Sequence, residues 1–117
     1  MIRVYIAGKL NDMACDYIKN LHKMIETANE VRLLGYAVFI PGIDLLAGLQ
    51  CGDWNYNDYF DNSQPWLDVC DAVYLTPGWE TSKGTERELA RAREKSIPIF
   101  DSTVELNHYF YGDESAV

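Results

Sequence analysis

Four short β-prone segments alternating with helix-forming stretches predict an α/β domain built on a mainly parallel sheet of four to five strands. Three observations carry this. Ile2 to Ala7 is apolar and β-branched and stops at Gly8, as a buried strand running into a tight loop would. The apolar positions that follow recur every three or four residues. A second apolar segment then ends at Pro41-Gly42, which completes a strand–helix–strand unit expected to cross over right-handed.

The first helix is predicted from Met13 to Leu34, with Ile18, Leu21, Ile25, Ala28, Val31 and Leu34 as its buried stripe. Asn11 or Asp12 would cap its start and Gly35 its end. Tyr36 to Ile40 is the second strand. From Ile43 to Asn62 the glycines and the run from Asp53 to Asp61 give no clean period, so this stretch reads as a long loop with short helical pieces. Ser63 is placed to cap a short helix with Pro65 in its first turn, ending at Cys70. Asp71 to Thr76 is the third strand, Pro77 to Gly84 a loop, Thr85 to Lys95 a helix and Ile97 to Phe100 the fourth strand. Thr103 to Tyr111 closes the chain as a helix over Val104, Leu106 and Phe110. Residues 112–117 read as a frayed tail. The whole is one domain over residues 1–117, a three-layer sandwich of the Rossmann or flavodoxin-like layout.

Composition narrows the partners. Eighteen acidic against ten basic residues give a net charge of −8, which opposes a nucleic-acid polymer but not a single phosphate held by backbone N–H groups. Cys15, Cys51 and Cys70 have neither disulfide nor zinc spacing, and His22 and His108 are isolated, so no metal or other cofactor is expected. An N-terminal strand and the absence of a long apolar run point to a cytoplasmic protein without a membrane partner.

In a parallel sheet, ligands bind at the carboxyl ends of the strands, which singles out the loops after Ala7 and Thr76. The second loop leads into a helix start, where unpaired N–H groups favour an anion; Gly78, Trp79, Ser82, Gly84 and Thr85 lie in it. The alternative is that Ser82 and Thr85 only cap the helix and the glycines only turn the chain. Glu86 and Glu88 both suit the helix dipole, but Glu88 shares a side with Thr85 and Ala92, whereas Glu86 lies about 160° further round. Tyr5 would reach the same crevice if its strand neighbours the one bearing Tyr74. Trp54, Tyr56, Tyr59 and Trp79 are candidates to stack on a base or, equally, to pack against the sheet.

Together, Tyr5-Ile6-Ala7-Gly8, Cys70-Asp71-Ala72-Val73-Tyr74-Leu75 and Gly84-Thr85-Glu86-Arg87-Glu88-Leu89-Ala90 resemble the nucleoside 2-deoxyribosyltransferase superfamily. Thr76-Pro77-Gly78-Trp79 is similar to the loop of its short, phage-type members of uncharacterised function. The likeness runs from Ile2 to Phe100. It implies a retaining transfer in which Glu88 attacks the anomeric carbon, Tyr5 orients it, and water or a second base completes the reaction. It also implies substrate contacts from Gly8 and Asp71, with a homo-oligomer completing each site, while Lys9 stands where most members have proline and would either add a phosphate contact or stay solvated. Ser82 stands where nucleoside-monophosphate hydrolases also have serine, so a 5′-monophosphate is favoured over a free nucleoside. The loop bears a further likeness to cytokinin-activating phosphoribohydrolases, without their longer glycine run. One departure matters: the family aspartate eight residues before Asp71 is Ser63 here, leaving Asp61 as its replacement and Asp58 as a poorer one. The competing expectations are a non-catalytic nucleotide-binding protein on the same fold and, less favoured for want of a hydroxyl-rich phosphate loop, a flavodoxin-like redox module.

Overall fold

A computed structural model describes residues 1–10, 14–52 and 54–112. Among them four parallel strands form one sheet in the order β2-β1-β3-β4: β1 Arg3–Ala7, β2 Ala37–Phe39, β3 Ala72–Leu75 and β4 Ile99–Phe100. The α/β class and the parallel sheet follow the sequence expectation. Helix α1 (Ala14–Leu33) joins β1 to β2, and α2 (Asp44–Cys51) and α3 (Tyr56–Asp68) lie between β2 and β3. Helix α4 (Lys83–Glu94) joins β3 to β4, and α5 (Thr103–Tyr111) follows.

Each face of the sheet has its own core, because strand side chains alternate. Val4, Ile6, Ala72 and Tyr74 meet Met24, Ala28 and Val31 of α1 and Leu106 of α5. Tyr5, Ala7, Val73 and Leu75 meet Leu67 of α3 and Leu89 and Ala92 of α4. Tyr5 and Tyr74 thus sit on neighbouring strands but opposite faces, since the partner of Tyr5 is Val73 and that of Tyr74 is Ile6.

Three expectations are corrected. The buried stripe of α1 runs through Met24, Ala28 and Val31, while Ile18, Ile25 and Leu34 are exposed. A set at three- or four-residue steps can be drawn through either flank, and contact with β1 selects the one containing Met24. Most of 43–62 is helical rather than loop. Gly52, at φ +80, ends α2, and Asn55 starts α3 through a reciprocal capping box with Asp58 at 3.0 and 2.8 Å. Ser63 is therefore an interior residue of α3 and not its cap, and Pro65 lies inside the helix. The Asn11 or Asp12 cap and residues 113–117 of the tail lie outside the described residues. Gly35, at φ +100, does end α1.

Gly8 is where the two strand-end loops touch. A Cβ there would overlap the Thr76 side chain, while Thr76 N–H donates to the Ala7 carbonyl at 2.8 Å. Gly8→Ala is expected to cost about 1–3 kcal/mol through overpacking, measured as a lower denaturant midpoint at unchanged slope. Wild-type stability in that variant would show that the loops part freely.

Candidate active site beneath helices α3 and α4

Helix α4 begins at Ser82, whose hydroxyl oxygen accepts from Thr85 N–H at 3.1 Å and from the Thr85 hydroxyl at 2.9 Å. Ser82 and Thr85 thus form an N-cap, and Thr85 is fully buried. Thr85, Leu89 and Ala92 face the sheet, and Glu88, one turn after Thr85, turns inward beside them while Glu86 is exposed. Residue Glu88 as a whole is partly exposed, but its carboxyl is withdrawn from water. Burial raises it to about 7, against a smaller lowering effect of a hydrogen bond from Tyr5.

Tyr5 is the other half of the pair. It is 0% exposed, and its hydroxyl completes no hydrogen bond of full geometry among the described residues. The Glu88 carboxylate and the Ser63 hydroxyl are nonetheless its polar neighbours, close enough to act on it electrostatically. Burial, then Glu88, push the phenol well above its ordinary range, so it remains a proton donor. Its ring stacks on Phe39, its register partner on β2, at 5.5 Å, and Phe39 stacks on Trp66 of α3 at 5.8 Å. This column of three rings fixes the direction of the Tyr5 hydroxyl and reaches the surface at Trp66, which is exposed.

Two elements hold α3 and α4 together over the pair. Arg91 forks onto Asp68, with Nε to Oδ1 and Nη2 to Oδ2 both 2.8 Å. At the other end the Arg87 guanidinium lies 3.8 Å from the centre of the Phe60 ring and 5.3 Å from that of Tyr56. The Tyr56 hydroxyl sits over the first turn of α4, 3.3 Å from where a Cβ on Gly84 would be.

The residues singled out from the sequence separate into groups. Tyr5 and Glu88 meet, and Ser63 joins them. Asp61 does not: it is exposed, about 200° round α3 from Ser63, and lines an open cleft with Trp54, Asp58 and Asn62. Asp71 stands at the opposite, amino end of the strands, where its carboxylate accepts from Arg3 N–H at 2.8 Å, and its own N–H donates to the Arg3 carbonyl at 2.8 Å. It clamps β3 to β1 rather than reaching the crevice. Gly8 and the half-buried Lys9 end β1; Gly78 turns the next loop at φ +86. Trp79 packs partly against the Leu75 and Leu89 core and borders a second cleft on the α1 side with Thr76. Trp54 and Tyr59 meet at a tilt of 58° with centroids 5.1 Å apart, whereas Tyr56 lies over the start of α4. Neither cleft is lined by Glu88 or Tyr5.

Sequence reasoning missed Phe39 and Trp66 as walls of the site. The strand register that pairs Tyr5 with Phe39 would have revealed the first, and the true length of α3 the second. Among the described residues no group of His, Cys, Asp and Glu is arranged to hold a metal, and no helix is long and apolar enough to cross a membrane.

Residues 2–101 match the family described as a domain of unknown function, DUF4406. No curated protein and no solved structure matches the chain. The match covers most of the sequence, and the chain belongs to the DUF4406 family.

Proposed function

We propose that this DUF4406 member cleaves or exchanges the N-glycosidic bond of a nucleoside or its 5′-monophosphate through a covalent glycosyl-Glu88 intermediate. The observation that carries the reading is the buried pair: a carboxyl raised to about 7 beside a phenol with no other strong acceptor. The resemblance of the Tyr5, Gly84 and Glu88 segments to nucleoside 2-deoxyribosyltransferases supports the same chemistry, and the charge of −8 favours a small substrate over a nucleic-acid polymer.

In this reading an oxygen of ionised Glu88 forms a bond to C1′ while the C1′–N bond breaks, and the base leaves with the electron pair and takes a proton from water. A water, or the ring nitrogen of a second base, then attacks C1′, its proton passes to the hydroxide left when the first base was protonated, and the Glu88 carboxylate departs with the electron pair of the C1′–O bond. Tyr5 keeps the carboxylate aimed, its own ring held by Phe39. The first turn of α4 offers N–H groups for a phosphate, and the Ser82 hydroxyl, which accepts from Thr85, retains its proton for donation.

The test incubates the protein with a panel of ribo- and deoxyribonucleosides and their 5′-monophosphates, with and without an acceptor base, and chromatographs for free or exchanged base. Base release is expected from at least one substrate class and none from Glu88→Ala. Release that survives Glu88→Ala overturns the mechanism. A second reading, a nucleotide-binding protein without catalysis, is favoured by one observation: Ser63 stands where the resemblance has an aspartate, and Asp61 is turned away from the pair. Ligand-dependent stabilisation without turnover would select it.

A further inference from the structure

We propose that the cleft on the α1 side of the sheet is a second binding site, for an aliphatic polyamine whose ammonium groups are spaced along one chain. The site is separate from the Tyr5–Glu88 pair, which does not line it, and it stands whether or not the glycosyl-transfer reading does.

The cleft has a volume of about 500 Å³ and lies at the carboxyl ends of the strands, where parallel sheets bind ligands. Its walls come from α1, from the loop after β3 and from Asp101, the residue after β4. Positions 23, 26, 27 and 30 of α1 share one helix face, which explains why all four line it. Three hydroxyl-bearing residues of the wall are nine-tenths buried or more: Thr27 is 8% exposed, Tyr74 7% and Thr76 3%. None of these side-chain hydroxyls has a hydrogen-bond partner among the described residues, and none is sealed off as the Tyr5 hydroxyl is. A hydroxyl almost wholly buried yet open to a cleft is available to what fills it, and each of the three can accept from an ammonium N–H.

The charge of the wall selects a cation. Glu26, Glu30, Glu80 and Asp101 line it against the single ammonium of Lys23. Glu26 is shared with His22 at 2.7 Å, whereas Glu30, Glu80 and Asp101 have no ion-pair partner among the described residues. Burial, then Glu30 and Asp101, push the Tyr74 phenol above its ordinary range, so it stays neutral beside them. The acids do not converge on a point: among the described residues no group of His, Cys, Asp and Glu is arranged to hold a metal. A chain of separated ammonium groups meets separated carboxylates where one compact ion cannot. Between its charges such a ligand has methylenes, and the wall offers Leu75 and the rings of Tyr74 and Trp79 to cover them. The overall charge of −8 attracts the same ligand at long range.

Spermidine is the probe, titrated into the protein by calorimetry and by NMR of the indole N–H signals, with Trp79→Phe assigning that of Trp79. One spermidine per chain is expected, with a shift of the Trp79 signal. Glu30→Gln and Asp101→Asn, both at exposed positions, should each weaken binding by about 10-fold. Tyr74→Phe, which leaves the charge unchanged, should weaken it by about 3-fold, and Thr27→Val repeats that test if the phenylalanine variant does not fold. Glu105→Gln removes the same charge from an exposed position on α5 outside the cleft and should leave the affinity in place. Absence of binding overturns the proposal. So does binding that Glu105→Gln weakens as much as Glu30→Gln, or that magnesium abolishes at equal charge concentration, since either would mean diffuse attraction to an acidic surface rather than a site.

Discussion

Glu88→Gln is expected to abolish base release and, above pH 7, to make the protein more stable than wild type. Both follow from one carboxyl. Glutamine keeps the size of the side chain and a carbonyl oxygen for Tyr5, but its amide cannot act as the nucleophile, so the rate falls by about 10⁴-fold or more. The stability gain comes from linkage. The carboxyl titrates near 4.5 when unfolded and about 7 when folded, so between those values the folded state binds more protons. Its contribution is favourable in the neutral form below the unfolded midpoint and is lost as pH rises through the folded one. At pH 8 the ionised, desolvated carboxylate therefore costs on the order of 3 kcal/mol relative to a neutral isostere, and less to the extent that water reaches it. Urea unfolding at pH 4 and pH 8 checks this: nearly equal stability of the two proteins at pH 4 and a more stable variant at pH 8 are expected. A variant less stable at pH 8 would mean that Glu88 makes a stabilising ion pair, and the buried-nucleophile argument would fail. The same midpoint sets the rate, which should climb tenfold per pH unit below 7 and level off above it.

How much of this was legible beforehand differs by scale. The α/β class and the strand order of events along the chain came from period and punctuation: Gly8 after β1, Gly35 after α1 and the apolar block before Pro77. Glu88 over Glu86 was legible because helical spacing alone puts Glu88 with Thr85 and Ala92. What failed was local chemistry with two valid outcomes. Ser63 before Pro65 satisfies the rule for a helix start, yet Asn55 and Asp58 satisfy it better eight residues earlier, and the longer helix buries Ser63 against Tyr5. Asp71 failed for a different reason. A carboxylate before a strand can face a ligand or a neighbouring N–H, and only the pairing of β3 with β1 decides for Arg3. Phe39 entered the site through strand register, which no single segment encodes.

Tyr5→Phe is expected to change sign in its effect on stability as pH rises. The substitution keeps the ring against Phe39 and deletes a hydroxyl that is fully buried and imperfectly bonded. At pH 5, where Glu88 is neutral, losing that hydroxyl is close to neutral or stabilising, since a buried donor without a full partner costs about 1–3 kcal/mol. At pH 9 Glu88 is ionised and Tyr5 is the hydrogen bond that favours its charge, so the variant strands a buried carboxylate and is destabilised. The sign follows from the direction of the contribution. Tyr5 lowers the Glu88 midpoint, so its removal raises that midpoint further, and the difference in unfolding free energy between variant and wild type should be level up to about pH 7, fall between there and the raised midpoint, and level off above it. The rate profile must move with it: the rising limb shifts to higher pH, and activity at pH 7 drops by roughly 10- to 100-fold through loss of ionised and correctly aimed carboxylate. Parallel stability curves for the two proteins across that range would show that the phenol and the carboxyl do not communicate. In that event the pair would be two independent buried groups, and the case for Glu88 as an oriented nucleophile would lose its physical basis.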